Sequence, residues 1–408
     1  MSGPAIVANL KIKFIYRGME LSGIIISKEE KLVNIKLSNG YNISVPEEEI
    51  SILESEAIPV DSPIQEPVRQ DGAVVDIIAT GGTIASRVDY RTGAVTPVTD
   101  SHIIGDNIPN LANFPHNVMA IDPMLSENMT PEVWLKIAKL VNESQKGGRS
   151  AILLHGTDTM AYTASALSFM FDGMRRPIIL VGSQRSSDRP STDAFSNLEG
   201  ALEFSGTDIG EVGIAMHKGL SDHEISLIRG VRARKMHSSR RDAFRPMGEE
   251  PMASFGHNKV TVNPSVSLTR EKYTFKPKLE RRVSLVYFHP YMNETDFYQL
   301  CNGKKAVVIA GTGLGHIGSR LFDSIKQLRD NGVFIGMVTQ CMNGKVDLNV
   351  YSTGRELLKL GVIPLSNMLP ETALVKFSHV LANYPQEEVE GVMIRNLRGE
   401  MVEREAIA

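Results

Sequence analysis

Two stretches decide how this chain folds: I-I-A-T-G-G-T-I-A, from Ile77 to Ala85, and L-L-H-G-T-D-T-M-A, from Leu153 to Ala161. Each follows an apolar run of strand length, A-V-V-D-I-I-A in one case and S-A-I-L-L-H in the other, and each precedes a helical pattern. Both threonine clusters are therefore expected at the carboxyl ends of buried parallel strands. Open α/β sheets hold their ligands at that edge.

Moving outward from these segments, strands and helices alternate. W-L-K-I-A-K-L-V reads as a helix, P-I-I-L-V-G and E-V-G-I-A-M as further strands, and a helix follows Thr159. The series predicts a parallel βαβ sheet over 72–281. A second α/β segment, 282–408, begins with V-S-L-V-Y-F and continues with K-A-V-V-I-A-G and G-V-F-I-G-M-V-T. Residues 1–55 differ: K-I-K-F-I-Y, L-S-G-I-I-I-S, L-V-N-I-K-L and Y-N-I-S-V alternate with period two, and Asn39-Gly40 marks a hairpin. They predict a five-stranded, SH3-like or Sm-like β-barrel. The stretch 56–71 carries three prolines and no apolar period and reads as a linker.

Composition sets outer bounds. The 408 residues suffice for two or three domains, and 42% hydrophobic content excludes a disordered or fibrous chain. Cys301 and Cys341 are far apart, with no C-x-x-C pair, so neither a disulfide framework nor a zinc site is predicted. No signal peptide opens the sequence and no apolar run approaches the roughly 18 residues that cross a bilayer, so the expected location is cytoplasmic. A net charge of -3, from 44 basic and 47 acidic residues, leaves no bulk charge for nucleic-acid binding. The first 55 residues hold six basic and seven acidic side chains, which favours docking over RNA contact for that module.

A threonine hydroxyl attacks an amide only with a neighbouring base and an oxyanion site. Thr83 on one loop, and Thr157 with Asp158 on the other, are candidates. Gly81, Gly82 and Gly156 allow tight turns that leave backbone N–H groups facing an oxyanion. Taken singly, G-G-T and G-T-D also fit ordinary strand-to-helix turns capped by threonine or aspartate. The histidines show no ligand spacing on one helix face, so no metal is predicted.

Taken together, the two segments resemble the signatures of the bacterial-type L-asparaginase and glutaminase family, T-G-G-T-I-A and H-G-T-D-T-M, from about Val74 to the end of the chain. The resemblance implies an asparaginase-like, two-domain, parallel-sheet α/β architecture after the small β-barrel. It also implies acyl transfer without a metal. Thr83 matches the nucleophile, Tyr90 in R-V-D-Y-R-T-G the tyrosine that activates it, and Gly93 a hinge for that loop. Thr157, Asp158 and Lys235, the last in R-A-R-K-M-H, match a second relay. A lysine acting as base must be neutral, and Arg229, Arg232, Arg234, Arg240, Arg241 and Arg245 crowd the same stretch. They read as cations that depress its pKa, as a basic face, or as a solvated charge run. Ser126 matches the residue that binds the substrate α-carboxylate, with Gly82 and Gly156 lining the same site. Glu127 stands where asparaginases carry glutamine, and no residue here matches the glutamate that the family lends across its dimer interface.

The β-barrel and linker, Glu127, and H-K-G-L-S-D-H at His217 to His223 resemble one branch of this family, the D subunits of archaeal glutamyl-tRNA(Gln) amidotransferases. In that branch the D protein hydrolyses L-glutamine and passes ammonia to the E subunit, which uses ATP and Mg2+ to amidate glutamyl-tRNA(Gln). The resemblance implies no cofactor in this chain, tRNA held mainly through the partner, and a homodimer within a heterotetramer. It also fits the absence of a G-x-x-x-x-G-K-[ST] loop. A free-standing cytosolic L-asparaginase is the alternative. A dinucleotide site is a weaker one: G-L-G-H-I-G at Gly313 to Gly318 follows a strand, but no ribose-binding acid follows about 20 residues on.

Overall fold

The computed structural model describes residues 10–29, 31–37, 42–57, 71–81, 84, 86–89, 94–97, 111, 114–187, 191–266 and 272–406. Its largest element is an eight-stranded sheet. Five strands are mutually parallel: Val75–Gly81, His116–Met124, Ser150–Leu154, Ile178–Val181 and Val212–His217. Numbered in chain order, they lie as 2-1-3-4-5 across the sheet. The order reverses between Val75–Gly81 and Ser150–Leu154, which places a crevice at the carboxyl ends of these two strands. Both are buried along their whole length, as their largely apolar sequences predict, with the buried Asp76 paired to Arg149.

The sheet is mixed rather than wholly parallel. Glu224–Arg229, Ala253–Gly256 and Lys259–Val262 extend it antiparallel beyond Val212–His217. The reason is connection length: too few residues separate His217 from Glu224 for the crossover that a parallel pair needs, so the chain doubles back.

Helices cover both faces. Pro131–Lys146 starts with proline at its first turn and packs Trp134, Ile137 and Val141 on one side, beside Met160–Met170. Ala194–Ser205 covers the other side with Leu198, Leu202 and Phe204. Met160–Met170 is buried almost all round because helix Pro370–Asn383 packs on its outer side. That second helix belongs to a four-stranded parallel sheet, Val283–Tyr287, Ala306–Gly311, Phe334–Thr339 and Val362–Pro364, laid side by side in chain order. The two α/β units thus meet through a helix pair.

The amino-terminal strands, Leu10–Tyr16, Met19–Glu29, Leu32–Leu37, Asn42–Pro46 and Ile50–Ala57, form a separate antiparallel sheet around Phe14, Ile25, Val33 and Ile35. Asn39 and Gly40 lie outside the described residues, but the strands on either side pair antiparallel, Lys36 opposite Asn42. Among the described residues no helix is long and apolar enough to cross a membrane.

Candidate functional site

The two motif strands are tied together where the crevice opens. Thr80 Oγ1 donates to the Leu154 carbonyl at 2.9 Å, a bond buried in the sheet. The next residue, Gly81, adopts φ +101°, and a Cβ there would run into the Met124 backbone, so only glycine fits the turn. Gly82, Thr83, Tyr90 and Gly93 lie outside the described residues. Strands Ser86–Asp89 and Ala94–Pro97, on either side of residues 90–93, pair antiparallel with Asp89 opposite Ala94.

The second loop is fixed from beneath. His155 is wholly buried, its Nδ1 lies 2.7 Å from the Gly156 carbonyl, and its Nε2 lies 2.9 Å from Thr163 Oγ1. A carbonyl only accepts, so Nδ1 carries the hydrogen and Nε2 accepts from the threonine hydroxyl. That hydroxyl in turn accepts from Trp134 Nε1 at 2.9 Å. Burial pushes the His155 pKa down to about 4, which keeps the ring neutral and this chain of bonds intact near pH 7.

On this base stands a compact polar cluster. Lys235 Nζ donates to Thr157 Oγ1 at 2.8 Å and to Asp158 Oδ1 at 2.7 Å. Thr157 is buried, whereas Asp158 faces the opening with 68% of its side chain exposed. Ser126 is buried with its Oγ 3.5 Å from Asp158 Oδ2, and Glu127 is exposed on the same short turn, Ser126–Asn128. Gly156 backs onto Ser126 so closely that a Cβ would lie 2.6 Å from Ser126 Cβ. The capping alternative fails at this loop. Thr159 precedes helix Met160–Met170 but makes no side-chain cap, and its hydroxyl donates instead to the Ser126 carbonyl at 2.8 Å. Thr157, Asp158, Lys235, Ser126 and Gly156 are thus brought together, with Lys235 Nζ shared between a hydroxyl and a carboxylate beside a second hydroxyl.

The arginines near Lys235 engage other groups. Arg240 and Arg245 pair with the buried Asp242, Arg241 with Asp222, Arg229 with Glu211 and Glu249, and Arg234 with Glu371. Arg232 is buried against backbone carbonyls, so this stretch is no solvated charge run. The H-K-G-L-S-D-H segment is anchored by its first residue, while Lys218 and residues 220–223 are exposed. His217 is fully buried with Nδ1 2.6 Å from Asn197 Oδ1 and Nε2 2.9 Å from Asp222 Oδ1. Asn197 donates to the Gly182 carbonyl at 2.9 Å, and a Cβ at Gly182 would lie 2.9 Å from Thr157 Cγ2. This support reaches the site from the neighbouring parallel strand. The residues that sequence reasoning missed are Trp134, Thr163, Asn197 and Gly182. The one available signal was the spacing of His155 and Thr163, eight residues apart across a helix start.

The G-L-G-H-I-G loop offers no dinucleotide cradle. It follows Ala306–Gly311 but folds on itself through a Thr312–His316 bridge, and the strands of its sheet lie in chain order without a reversal. Thr339 Oγ1 donates to the Gly313 carbonyl at 2.6 Å, where a nucleotide would need room. Among the described residues no group of three or more His, Cys, Asp or Glu side chains is disposed to hold a metal ion.

Comparison with known proteins agrees with this architecture. Residues 74–267 match the family model "Asparaginase, N-terminal" and residues 282–393 match "Glutaminase/Asparaginase C-terminal domain". Among solved structures, the thermostable L-asparaginase from Thermococcus kodakarensis superposes with a TM-score of 0.73 at 28% identity, covering 80% of this chain and 99% of that one. L-asparaginase I from Vibrio cholerae gives 0.71 at 28% identity, covering 81% and 100%. Curated relatives extend over the amino-terminal strands as well. The glutamyl-tRNA(Gln) amidotransferase D subunit of Thermoplasma acidophilum is 45% identical over 398 residues, 96% of each chain. The protein of the same name from Saccharolobus islandicus is 40% identical over 407 residues, 95% of this chain and 91% of its own. With two asparaginase-type domains and relatives matched along nearly its whole length, the chain belongs to the D-subunit family of glutamyl-tRNA(Gln) amidotransferases, within the asparaginase and glutaminase fold family.

Proposed function

We propose that the chain is the glutaminase subunit of a tRNA-dependent amidotransferase. The observation that carries this is Lys235 Nζ held 2.8 Å from Thr157 Oγ1 and 2.7 Å from Asp158 Oδ1, at the strand-order reversal where strand Val75–Gly81 also ends. In this reading Thr83 Oγ bonds to the side-chain carbonyl carbon of L-glutamine, its proton passes to the departing nitrogen with Tyr90 assisting, and the C–N bond breaks to release ammonia. Backbone N–H groups around Gly82 hold the oxyanion. Thr157, with Lys235 and Asp158 moving its proton, directs water onto the acyl-enzyme, which frees glutamate and restores Thr83. Ser126 takes the substrate α-carboxylate and Glu127 its ammonium, a charge-assisted contact stronger than a neutral amide provides.

The ammonia then goes to a partner, the E subunit, which with ATP and Mg2+ converts glutamyl-tRNA(Gln) to glutaminyl-tRNA(Gln) in the cytoplasm. The amino-terminal β-module supports this reading. It supplies none of the clustered residues Ser126, Gly156, Thr157, Asp158 and Lys235, and the Thermococcus and Vibrio asparaginases match about four-fifths of the chain and no more. The proposed assembly is a homodimer of this chain inside a heterotetramer, with tRNA bound chiefly by the partner. Ammonia release from glutamine and from asparagine, each with and without the E partner and glutamyl-tRNA, tests the proposal. Weak glutamine hydrolysis that rises when both are added is expected. Vigorous asparagine hydrolysis by the chain alone would instead make it a free-standing asparaginase.

A further inference from the structure

Lys235 reaches Thr157 from outside the sheet that carries Thr157. It ends the short strand Ala233–Lys235, which pairs with Phe244–Pro246 in a two-stranded ribbon apart from the eight-stranded sheet. What fixes the ribbon is the carboxyl-terminal unit. Arg232, 1% exposed, donates from Nε to the Met247 carbonyl at 2.6 Å, while Met247 N donates back to the Arg232 carbonyl at 2.9 Å. This closes the open end of the ribbon. Arg232 Nη1 continues outward to the carbonyls of Asn367 at 2.7 Å and Glu400 at 3.1 Å. A buried cation persists only where acceptors surround it, so these carbonyls are required rather than incidental. Gly248, at φ +72°, leaves the space: a Cβ there would lie 2.7 Å from Arg232 Nη2.

A second tie lies one residue earlier. Thr372 Oγ1, in the first turn of helix Pro370–Asn383, donates to the Val231 carbonyl at 3.0 Å and lies 3.0 Å from Ser165 Oγ of the facing helix. Glu371 beside it pairs with Arg234 at 3.4 Å. Residues 231, 232 and 234, leading into Lys235, are therefore each bonded to the carboxyl-terminal unit.

We infer that Arg232 and Thr372 are positioning residues for Lys235, so that the carboxyl-terminal unit sets the Lys235–Thr157 distance across the boundary between the two α/β units. The inference rests on the reading of Lys235 as part of the hydrolytic relay. Misplacing a catalytic group by about 1 Å costs on the order of 100-fold in rate, so small shifts at this boundary are expected to reach the chemistry.

Two variants test it in the complete amidotransferase with the E partner and glutamyl-tRNA. Thr372→Val is isosteric and removes the tie to Val231 together with the contact to Ser165 Oγ. Arg232→Lys keeps the charge but cannot span three carbonyls. Rates are taken per mole of folded protein, with folding followed by near-ultraviolet circular dichroism. The expected result is a fall in kcat of about tenfold for T372V and about 100-fold for R232K, with KM within about twofold and a displaced pH profile of kcat. A merely structural role would lower the folded fraction and leave the pH profile of the remainder in place. Unchanged kcat and pH profile in folded T372V would overturn the inference, and that variant decides the matter if R232K does not fold. Lys235→Met separates the two levels. If it abolishes turnover while T372V and R232K behave as wild type, the positioning role alone fails; if it keeps full turnover, the relay reading fails and the positioning role with it.

Discussion

Gly156→Ala puts the geometry of the site to a direct test. The added methyl would lie 2.6 Å from Ser126 Cβ and 2.9 Å from Ser126 Oγ, both roughly 1 Å inside ordinary van der Waals contact. Neither neighbour can yield easily, because Ser126 is 5% exposed and its carbonyl is held by Thr159 Oγ1 at 2.8 Å. Overpacking of this kind costs about 1–3 kcal/mol. A shift of about 1 Å in Ser126 or the adjoining Thr157 would lower kcat/KM for glutamine on the order of 100-fold, equivalent to about 2.7 kcal/mol. The assay pairs urea unfolding with ammonia release. Ser126→Gly in the same chain removes the clashing atoms, so the double variant should recover most of the lost stability but not the lost affinity, because the Ser126 hydroxyl is gone. Wild-type stability and kinetics in the single variant, or strictly additive stability in the double, would refute this account of the cluster.

Acid should destabilise the chain through two buried histidines. Burial pushes His155 down to about 4, and burial followed by the nearby Arg398 and Lys276 charges pushes His379 down to about 3. Both folded values lie below the unfolded value of about 6.5, so their contribution is complete above pH 6.5 and is lost as pH falls toward 4 and 3. By pH 4 the loss is roughly 3 kcal/mol for each. His379→Gln should flatten the decline of unfolding free energy between pH 6.5 and 4, and parallel curves for variant and wild type would count against it. Lys235→Met should reduce ammonia release by about 10²–10⁴ with little change in KM, which steady-state kinetics reads directly. His217→Asn leaves Asp222 and Asn197 without their shared partner and should cost about 1–3 kcal/mol, and an unmoved urea midpoint would contradict that.

Much of the fold was legible because its strands are buried on both faces. Ile77–Ala79 and Ile152–Leu154 show as apolar runs whatever surrounds them, and the threonine loops follow immediately. The antiparallel extension was not legible, since Glu224–Arg229 reads like any strand and only the short connection from His217 reverses its direction. Arg232 was misleading for a different reason. It stands among arginines that suggest a solvated charge run, yet it is 1% exposed because three carbonyls from residues distant in sequence converge on it. Charge pattern reports the usual fate of an arginine, and a tertiary cage overrides it. The bonds Trp134–Thr163–His155 and His217–Asn197 were hidden in the same way, each joining side chains that meet only after helices have packed on the sheet.

The 2-1-3-4-5 order gives the paired motifs their physical meaning. Two threonine loops on separated strands would be two unrelated turns. Here the strands are neighbours, locked by Thr80 to the Leu154 carbonyl, and the strand order reverses between them. A reversal of this kind opens a crevice at the strand ends. Lys235 reaches Thr157 there on a ribbon pinned to the other α/β unit. Every clustered residue belongs to the amino-terminal α/β unit, but a lysine whose strand is tied to the other unit responds to whatever alters the contact between the two. On the proposed reading, in which ammonia is useful only when a partner is ready to consume it, that tie gives the carboxyl-terminal unit a means of moving Lys235 relative to Thr157.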